Sequence, residues 1–352
     1  MSTSPCGSFA AANAPDPHKH VNYNLGMVLG VDDLRQEFAY LYGRNQWLAR
    51  STVGYGTLTG LRVSIDIAGG GASGPRIVVT SGVALTPTGD LVCVRPAQCA
   101  FPNNWLASHR ADLDALPAGN SIKLYLTLAR ATRLADPVAI PGAPCRSDDQ
   151  VTKPSRVADG FDLDLSLKSP LQLEEEAMGA FVAWLNLTLS SPPLPATVEQ
   201  FEAMLRAAFG VGGATSPPSS PLSSMLPFPW FNPESPLTSP LASPPAMPLL
   251  QERNFVDAAI RIWVTEIRPR CHALGLPGGD CCNEQTDPQL SFEQRLLLAE
   301  VQVPITPPSG PDPYKVDSTR LAQLTLDERR RPLLLDLRLQ QELLSAGNIW
   351  MR

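Results

Sequence analysis

The chain has 352 residues and a formal net charge of −6 at neutral pH. This length suits two ordinary domains or one domain with a large insertion. Hydrophobic residues make up 43% of the chain, as in globular proteins, whereas the 36 prolines are about twice the usual share and imply extensive loops. The negative charge offers no basic surface for a phosphate backbone, so we expect no nucleic-acid partner.

The chain lacks the patterns of export and membrane segments. Residues 1–20 contain no basic stretch followed by an apolar one, which argues against a secretory signal. The longest nearly uncharged apolar run, Met178–Leu189, is shorter than the roughly 20 residues that span a bilayer. Seven irregularly spaced cysteines favour a reducing compartment over a disulfide framework. We therefore expect a soluble protein made in the cytoplasm, without a signal peptide or transmembrane segment.

The N-terminal region divides into an arm and a helix. Residues 1–22 have no hydrophobic periodicity and predict a flexible arm. Helical spacing then predicts an amphipathic helix over residues 31–50, with acidic residues in its first turn. We expect its apolar face to pack against a sheet built from residues 57–95; that face comprises Leu34, Phe38, Leu41 and Leu48.

Alternating patterns and turn residues predict an antiparallel sheet after this helix. Early strands are expected near residues 61–67, 76–80, 83–85 and 91–94. Later strands are expected at Ile122–Ala129, Phe161–Leu167 and Leu296–Val303, and we expect one sheet to collect them all. Helices are predicted at Leu171–Leu189, Val198–Phe209, Asn254–Ile267 and Leu333–Leu344.

These elements predict an α+β fold: a small antiparallel β-sheet or barrel-like core with a long N-terminal amphipathic helix, further helices and a proline-rich insertion. The expected organisation runs in five parts. They are the arm at 1–22, a helix and β-rich core at 23–168, a helical segment at 169–210, the insertion at 211–250, and an α/β segment at 251–352 that completes the core.

The insertion consists of repeated Ser-Pro and Pro-Leu units that cannot form regular helix or sheet. Three aromatic residues, Phe228, Trp230 and Phe231, lie in its middle. Because a solvated linker has no use for such side chains, we expect the segment to lie along a protein surface, with these three residues as interaction anchors. A disordered linker is the alternative interpretation.

One group of residues has the chemistry of a metal site. Cys271, His272, Cys281 and Cys282 carry side chains that zinc prefers, within a glycine-rich loop. Their spacing is not that of a standard zinc knuckle, so unpaired thiols or one local disulfide are alternatives. A structural zinc is thus one hypothesis, and otherwise no cofactor is expected. Three other cysteines, Cys93, Cys99 and Cys145, are interpreted as small buried hydrophobes.

No catalytic constellation is evident. The glycine-rich stretch at 69–74 lacks the lysine and the following helix of a phosphate loop, so a hairpin loop explains it. Asp162 and Asp164 lie on one face of an alternating strand and are interpreted as solvated. None of the four histidines accompanies a nucleophile motif. The sequence therefore predicts a protein that is not an enzyme.

A longer pattern carries a family resemblance. Its residues are Tyr23-Asn24-Leu25-Gly26-Met27-Val28-Leu29, then Asp33, Glu37, Tyr40, Arg44, Leu48 and Arg50, then Gly54, Gly56, Gly60-Leu61 and Val63, and later Ser81-Gly82-Val83-Ala84-Leu85 and Gly89-Asp90-Leu91-Val92. Together they resemble an uncharacterised bacterial family associated with contractile injection systems, which are phage-tail-like particles. The resemblance covers about residues 22–168 and 252–304, and similar hairpins occur in tail-fibre and baseplate proteins.

This resemblance implies a structural component of the particle, at the baseplate or attached to it, without catalytic residues. Its partners would be other protein subunits in a homo- or hetero-oligomeric assembly. A carbohydrate- or surface-binding accessory module is the alternative function, and a zinc-dependent hydrolase is a third.

Overall fold

The computed structural model describes residues 15–67, 71–117, 119–139, 152–190, 194–211, 249–269, 295–307 and 313–345. The chain forms two compact units. The first comprises Met1–Pro170 and Gln294–Asp336, and the second comprises Leu171–Glu293 and Leu337–Arg352. The predicted α+β class is confirmed. None of the helices within the described ranges combines the length and the apolar character needed to cross a bilayer.

The first unit begins with helix α1 (Val31–Thr52), which confirms the predicted helix over residues 31–50. The backbone N–H of Gly30 donates to the Asp33 carboxylate (2.8 Å), which fixes the start of the helix. The helix ends at Thr52, and Gly54 two residues later turns the chain with a φ of +89°, a conformation that glycine adopts without strain.

Two small antiparallel sheets follow, rather than the single sheet that the sequence predicted. Their strands are β1 (Gly56–Gly60), β2 (Val63–Asp66), β3 (Arg76–Val79), β4 (Gly82–Leu85), β5 (Leu91–Val94) and β6 (Gln98–Ala100). The first sheet is ordered β1-β4-β5 and the second β2-β3-β6. β1 and β2 enter different sheets because Gly60 and Leu61, where β1 ends, both have positive φ. A Cβ at Gly60 would lie 2.2 Å from the Ser81 carbonyl oxygen.

A third sheet contains the longest strands. They are β7 (Ser121–Ala139), β8 (Thr152–Ser166), β9 (Leu296–Thr306), β10 (Lys315–Val316) and β11 (Thr325–Asp327). β9 lies at the centre, where it pairs with β7 on one side and with β10 and β11 on the other, while β8 pairs with the far edge of β7. The described strands form no closed barrel, so the barrel-like part of the prediction is wrong.

The core of the first unit lies on this third sheet. Residues 296–301 of β9 are all buried, as expected for a strand covered on both faces. Helices α2 (Pro102–Ser108) and α3 (Arg110–Asp114) add Leu106 and Leu113 to the same core. The Trp105 indole N–H donates to the Leu165 carbonyl oxygen (2.7 Å) and joins α2 to β8.

The second unit is helical in its described part. Its helices are α4 (Leu173–Ser190), α5 (Val198–Ala208), α6 (Leu249–Ile262), which continues as a π-helical turn (Trp263–Ile267), and α7 (Leu337–Ser345). Phe201 stacks on Phe255, with 4.9 Å between the ring centroids, in the middle of its core. Residues 249–269 thus belong to the helical unit, whereas residues 295–336 complete the first unit.

The environments of Leu128 and Leu134, both on β7, predict opposite responses to the same substitution. Leu128 is fully buried and Leu134 is 72% exposed. We expect Leu128→Ala to lower the free energy of unfolding of the first unit by about 2–5 kcal/mol, because it leaves a cavity in the core. Leu134→Ala should change it by less than about 0.5 kcal/mol. Hydrogen exchange of β9 peptides measures this quantity, and equal effects of both variants would contradict the assigned core.

Candidate docking surface

Polar side chains fix helix α1 against the sheets of its own unit. The Tyr42 hydroxyl and the Gln46 side-chain amide both donate to the Asp90 carboxylate, the latter at 2.9 Å. Asp90 lies in the turn between β4 and β5, and only 10% of its side chain is exposed. Gly89 in the same turn packs directly on the helix backbone, because a Cβ there would lie 2.3 Å from the Gln46 carbonyl oxygen. This contact orients one face of α1 toward the sheet.

Arg130 of β7 extends the same polar contact. Its guanidinium donates to the Tyr42 hydroxyl and lies over the Tyr42 ring, with Cζ 5.2 Å from the centroid. It also forms ion pairs with Asp159 (2.6 Å) and with Asp90 (3.7 Å). Burial, the hydrogen bond to Asp90 and the negative charge of Asp90 together raise the pKa of the Tyr42 hydroxyl above its ordinary value. The phenol therefore remains a hydrogen-bond donor.

The end of the N-terminal arm covers a second face of α1. The Val21 backbone N–H donates to the Glu37 carboxylate (3.0 Å), and the Asp16 N–H donates to the Gln36 side chain (2.9 Å). Pro17 packs closely on Gly43, where a Cβ would lie 2.7 Å from the proline Cβ. The described end of the arm, residues 15–22, is thus ordered along the helix by backbone contacts.

The apolar face of α1 points away from the sheet. Leu34 is 60% exposed, Phe38 is 67% exposed, and Leu41 and Leu48 are also exposed. No residue of α1 is buried. The prediction that these four side chains pack on residues 57–95 is therefore wrong. Its physical cause is the polar contact at Asp90, which binds the flank of the helix that carries Tyr42 and Gln46. The apolar side chains beside this flank stay outward, and the Phe38 ring stacks on the Tyr42 ring with 5.6 Å between the centroids.

The segment before the helix continues this exposed apolar region. The Met27 N–H donates to the Asn24 carbonyl oxygen (3.1 Å) and closes a turn in which Gly26 has a φ of +87°. We name the exposed set the α1 surface; its large hydrophobic side chains are Tyr23, Leu25, Met27, Val28, Leu29, Val31, Leu34, Phe38, Leu41, Trp47 and Leu48. An exposed apolar region of this extent is typical of an interaction site.

The structure does not describe the interaction and metal residues that the sequence singled out. Phe228, Trp230 and Phe231 fall outside the described residues, as do Cys271, His272, Cys281 and Cys282. Within the described ranges, no three His, Cys, Asp or Glu residues are grouped so that they could hold a metal ion. Cys93 and Cys99 are exposed, so their interpretation as buried hydrophobes is wrong, and Cys145 lies outside the described residues.

Sequence reasoning missed the residues that create the α1 surface. Tyr42, Gln46 and Arg130 belong to no sequence motif, and Asp90 appears in the sequence only as part of the pattern that carries the family resemblance. The available signal was the polar composition of the rest of α1, which lacks the apolar residues needed to pack on a core.

Comparison with protein-family models gave no match, and a search of curated proteins found no significantly similar relative.

The polar attachment of α1 predicts which of two aromatic residues stabilises it. Tyr42→Phe removes the hydroxyl that links Asp90 and Arg130, and we expect it to lower the free energy of unfolding of the first unit by about 1–3 kcal/mol. Phe38→Ala should change it by less than about 0.5 kcal/mol, because the ring is exposed in the isolated chain. Hydrogen exchange of α1 peptides tests both variants, and a larger effect of Phe38→Ala would contradict the orientation of the helix.

The raised pKa of Tyr42 predicts late ionisation at alkaline pH. The pKa of Tyr42 is higher in the folded than in the unfolded chain. The stability that the Tyr42 hydroxyl contributes is therefore fully present below pH about 10 and is lost as pH rises through the pKa of the folded chain. The pKa of Tyr314 is also raised, by its hydrogen bond to Asp114. We expect the absorbance of tyrosinate to show that a fraction of the tyrosines ionises above the ordinary pH range. Tyr42→Phe and Tyr314→Phe should each remove part of this late-ionising fraction. An unchanged titration in Tyr42→Phe would contradict the contact.

Proposed function

We propose that this chain is a structural, non-enzymatic component of a contractile phage-tail-like injection particle, at the baseplate or attached to it. It acts by docking onto other protein subunits. The observation that carries the proposal is the α1 surface, an apolar region on a helix whose polar face is bound to its own unit.

The physical character of this surface favours docking to a protein. The helix is already formed and is fixed by Asp90 and by the arm, so a partner that covers it does not need to order it. Burial of exposed leucine and phenylalanine side chains then supplies the free energy of association. An amphipathic helix presented in this way suits a helical partner or an apolar groove.

The family resemblance supports the particle assignment through two kinds of residue. Gly54, Gly56 and Gly60 of the resembling motif have positive φ, and a Cβ at Gly56 would lie 2.8 Å from the Pro332 carbonyl oxygen. These glycines therefore serve the fold. Leu25 and Val28 of the same motif are almost fully exposed, so core packing does not account for them. Contact with another subunit does.

Incorporation into particles tests the proposal. The flanking genes should encode a sheath, an inner tube and a baseplate wedge, and the particle is expressed from that cluster. We expect the Leu34→Ser/Phe38→Ser double variant to lower the amount of this chain in purified particles at least about tenfold, since the loss of two apolar contacts weakens binding by that factor or more. Quantitative immunoblotting against the sheath protein measures the amount.

The control is the Leu187→Ser variant, which changes a comparably exposed leucine on α4 of the second unit. It should be incorporated as well as the unmodified chain. Equal incorporation of the double variant and the control would contradict docking through α1, and a chain that never purifies with particles would contradict the proposed function itself.

A further inference from the structure

We propose that α1 pairs in parallel and in register with α1 of a second copy of this chain, as a short two-stranded coiled coil. This inference rests on the proposed function, because it names the partner for one part of the α1 surface. The occupant is identified by the spacing, the residue types and the exposure of the outward face of the helix.

The outward face has a repeat of seven residues. Its exposed positions are alternately three and four residues apart, which is the spacing of the a and d positions in a coiled coil. A strict seven-residue repeat keeps one seam facing a partner helix, whereas a helix on a globular core has a wider stripe. The seam residues, all exposed, are Val31, Leu34, Phe38, Leu41, Asn45 and Leu48.

The residue types select a parallel pair. Leucine occupies every d position, at Leu34, Leu41 and Leu48, and the a positions hold Val31, Phe38 and Asn45. Leucine at d, together with a β-branched residue and a single asparagine among the a positions, favours two parallel strands. Tyr42 and Gln46 on one flank of the helix contact the turn at Asp90, and Gln36 and Glu37 contact the arm, so the seam is the apolar part of α1 that stays exposed between them.

Asn45 identifies the partner as a copy of the same helix. It is the one polar residue among these six seam positions, and it lies at an a position. In an apolar seam an amide needs a polar partner. A parallel, in-register copy supplies one, because two a-position asparagines then face each other and can hydrogen-bond. An antiparallel copy would place Asn45 beside the apolar Leu34.

The structure also reduces the cost of pairing. α1 has 22 residues and is about 33 Å long at about 1.5 Å per residue. An isolated seam of three heptads is marginal because each helix must first form. Here both helices are already formed and fixed by Asp90, so only association remains. We therefore expect a reversible dimer rather than an obligate one.

Sedimentation velocity of the purified full chain tests the pairing. We expect the dimer fraction to rise between about 1 μM and about 100 μM, the range of a weak specific interface. Leu41→Glu places a charge at the centre of the seam and should weaken the dimer at least about tenfold. Leu187→Glu, a charge-matched change of an exposed leucine on α4, should leave the dimer unchanged.

Cysteine cross-linking tests the orientation. Asn45→Cys should give a disulfide between the two residues 45 under mild oxidation, because in-register a positions lie opposite each other. Trp47→Cys is the control, since Trp47 is exposed but lies outside the seam. Peptide mass mapping identifies the link and separates it from those formed by the exposed Cys93 and Cys99. A 45–45 link in the folded dimer supports the parallel pair, and its absence overturns it.

The outcomes separate the pairing from the docking function. A chain that stays monomeric at every concentration overturns the pairing, and so does a trimer or a dimer that Leu41→Glu leaves intact. If that monomeric chain is still incorporated into particles through α1, the proposed function stands. A dimer that forms through α1 but never purifies with particles supports the pairing and contradicts the proposed function.

Discussion

The Asp90 carboxylate joins the turn between β4 and β5 to helix α1. It accepts hydrogen bonds from Tyr42, Gln46 and the Thr88 hydroxyl, and it lies 3.7 Å from the guanidinium of Arg130. A carboxylate that is 90% shielded from solvent loses most of its hydration, and such donors replace the lost water contacts. The polar face of α1 supplies two of them. The helix is therefore fixed with this face toward the sheet.

The outward direction of the apolar face follows from this constraint. The side chains on α1 that would form a core in another arrangement, Leu34, Phe38 and Leu41 among them, remain exposed. The core of the first unit does not need them, because β9 is buried on both faces by other elements. The contact that fixes the helix and the surface proposed for docking thus lie on adjacent but separate flanks of one helix. This separation lets the surface change without loss of the fold, which is typical of a subunit that is selected for its contacts.

The same division of roles explains the residues of the family resemblance. Gly54, Gly56 and Gly60 fix the course of the backbone after α1, and Gly89 lets the turn at Asp90 approach the helix. The apolar residues between Tyr23 and Leu29 contribute only to the exposed surface. A motif that combines turn glycines with exposed apolar residues describes a rigid scaffold and the surface that it presents. The docking proposal assigns a role to both parts.

The sequence by itself determined the local structure. Helical spacing placed α1 within two residues of its end, and alternation located β2 to β5 and β9 and parts of the longer β7 and β8. Only the tertiary structure decided which face of α1 is buried. A hydrophobic stripe indicates that a helix face is covered, but its spacing does not indicate which element or partner covers it. Likewise, positive φ at Gly60 and Leu61 divides the strands between separate sheets. Alternation along a strand predicts which residues share a face, but it does not predict which neighbouring strand pairs with it.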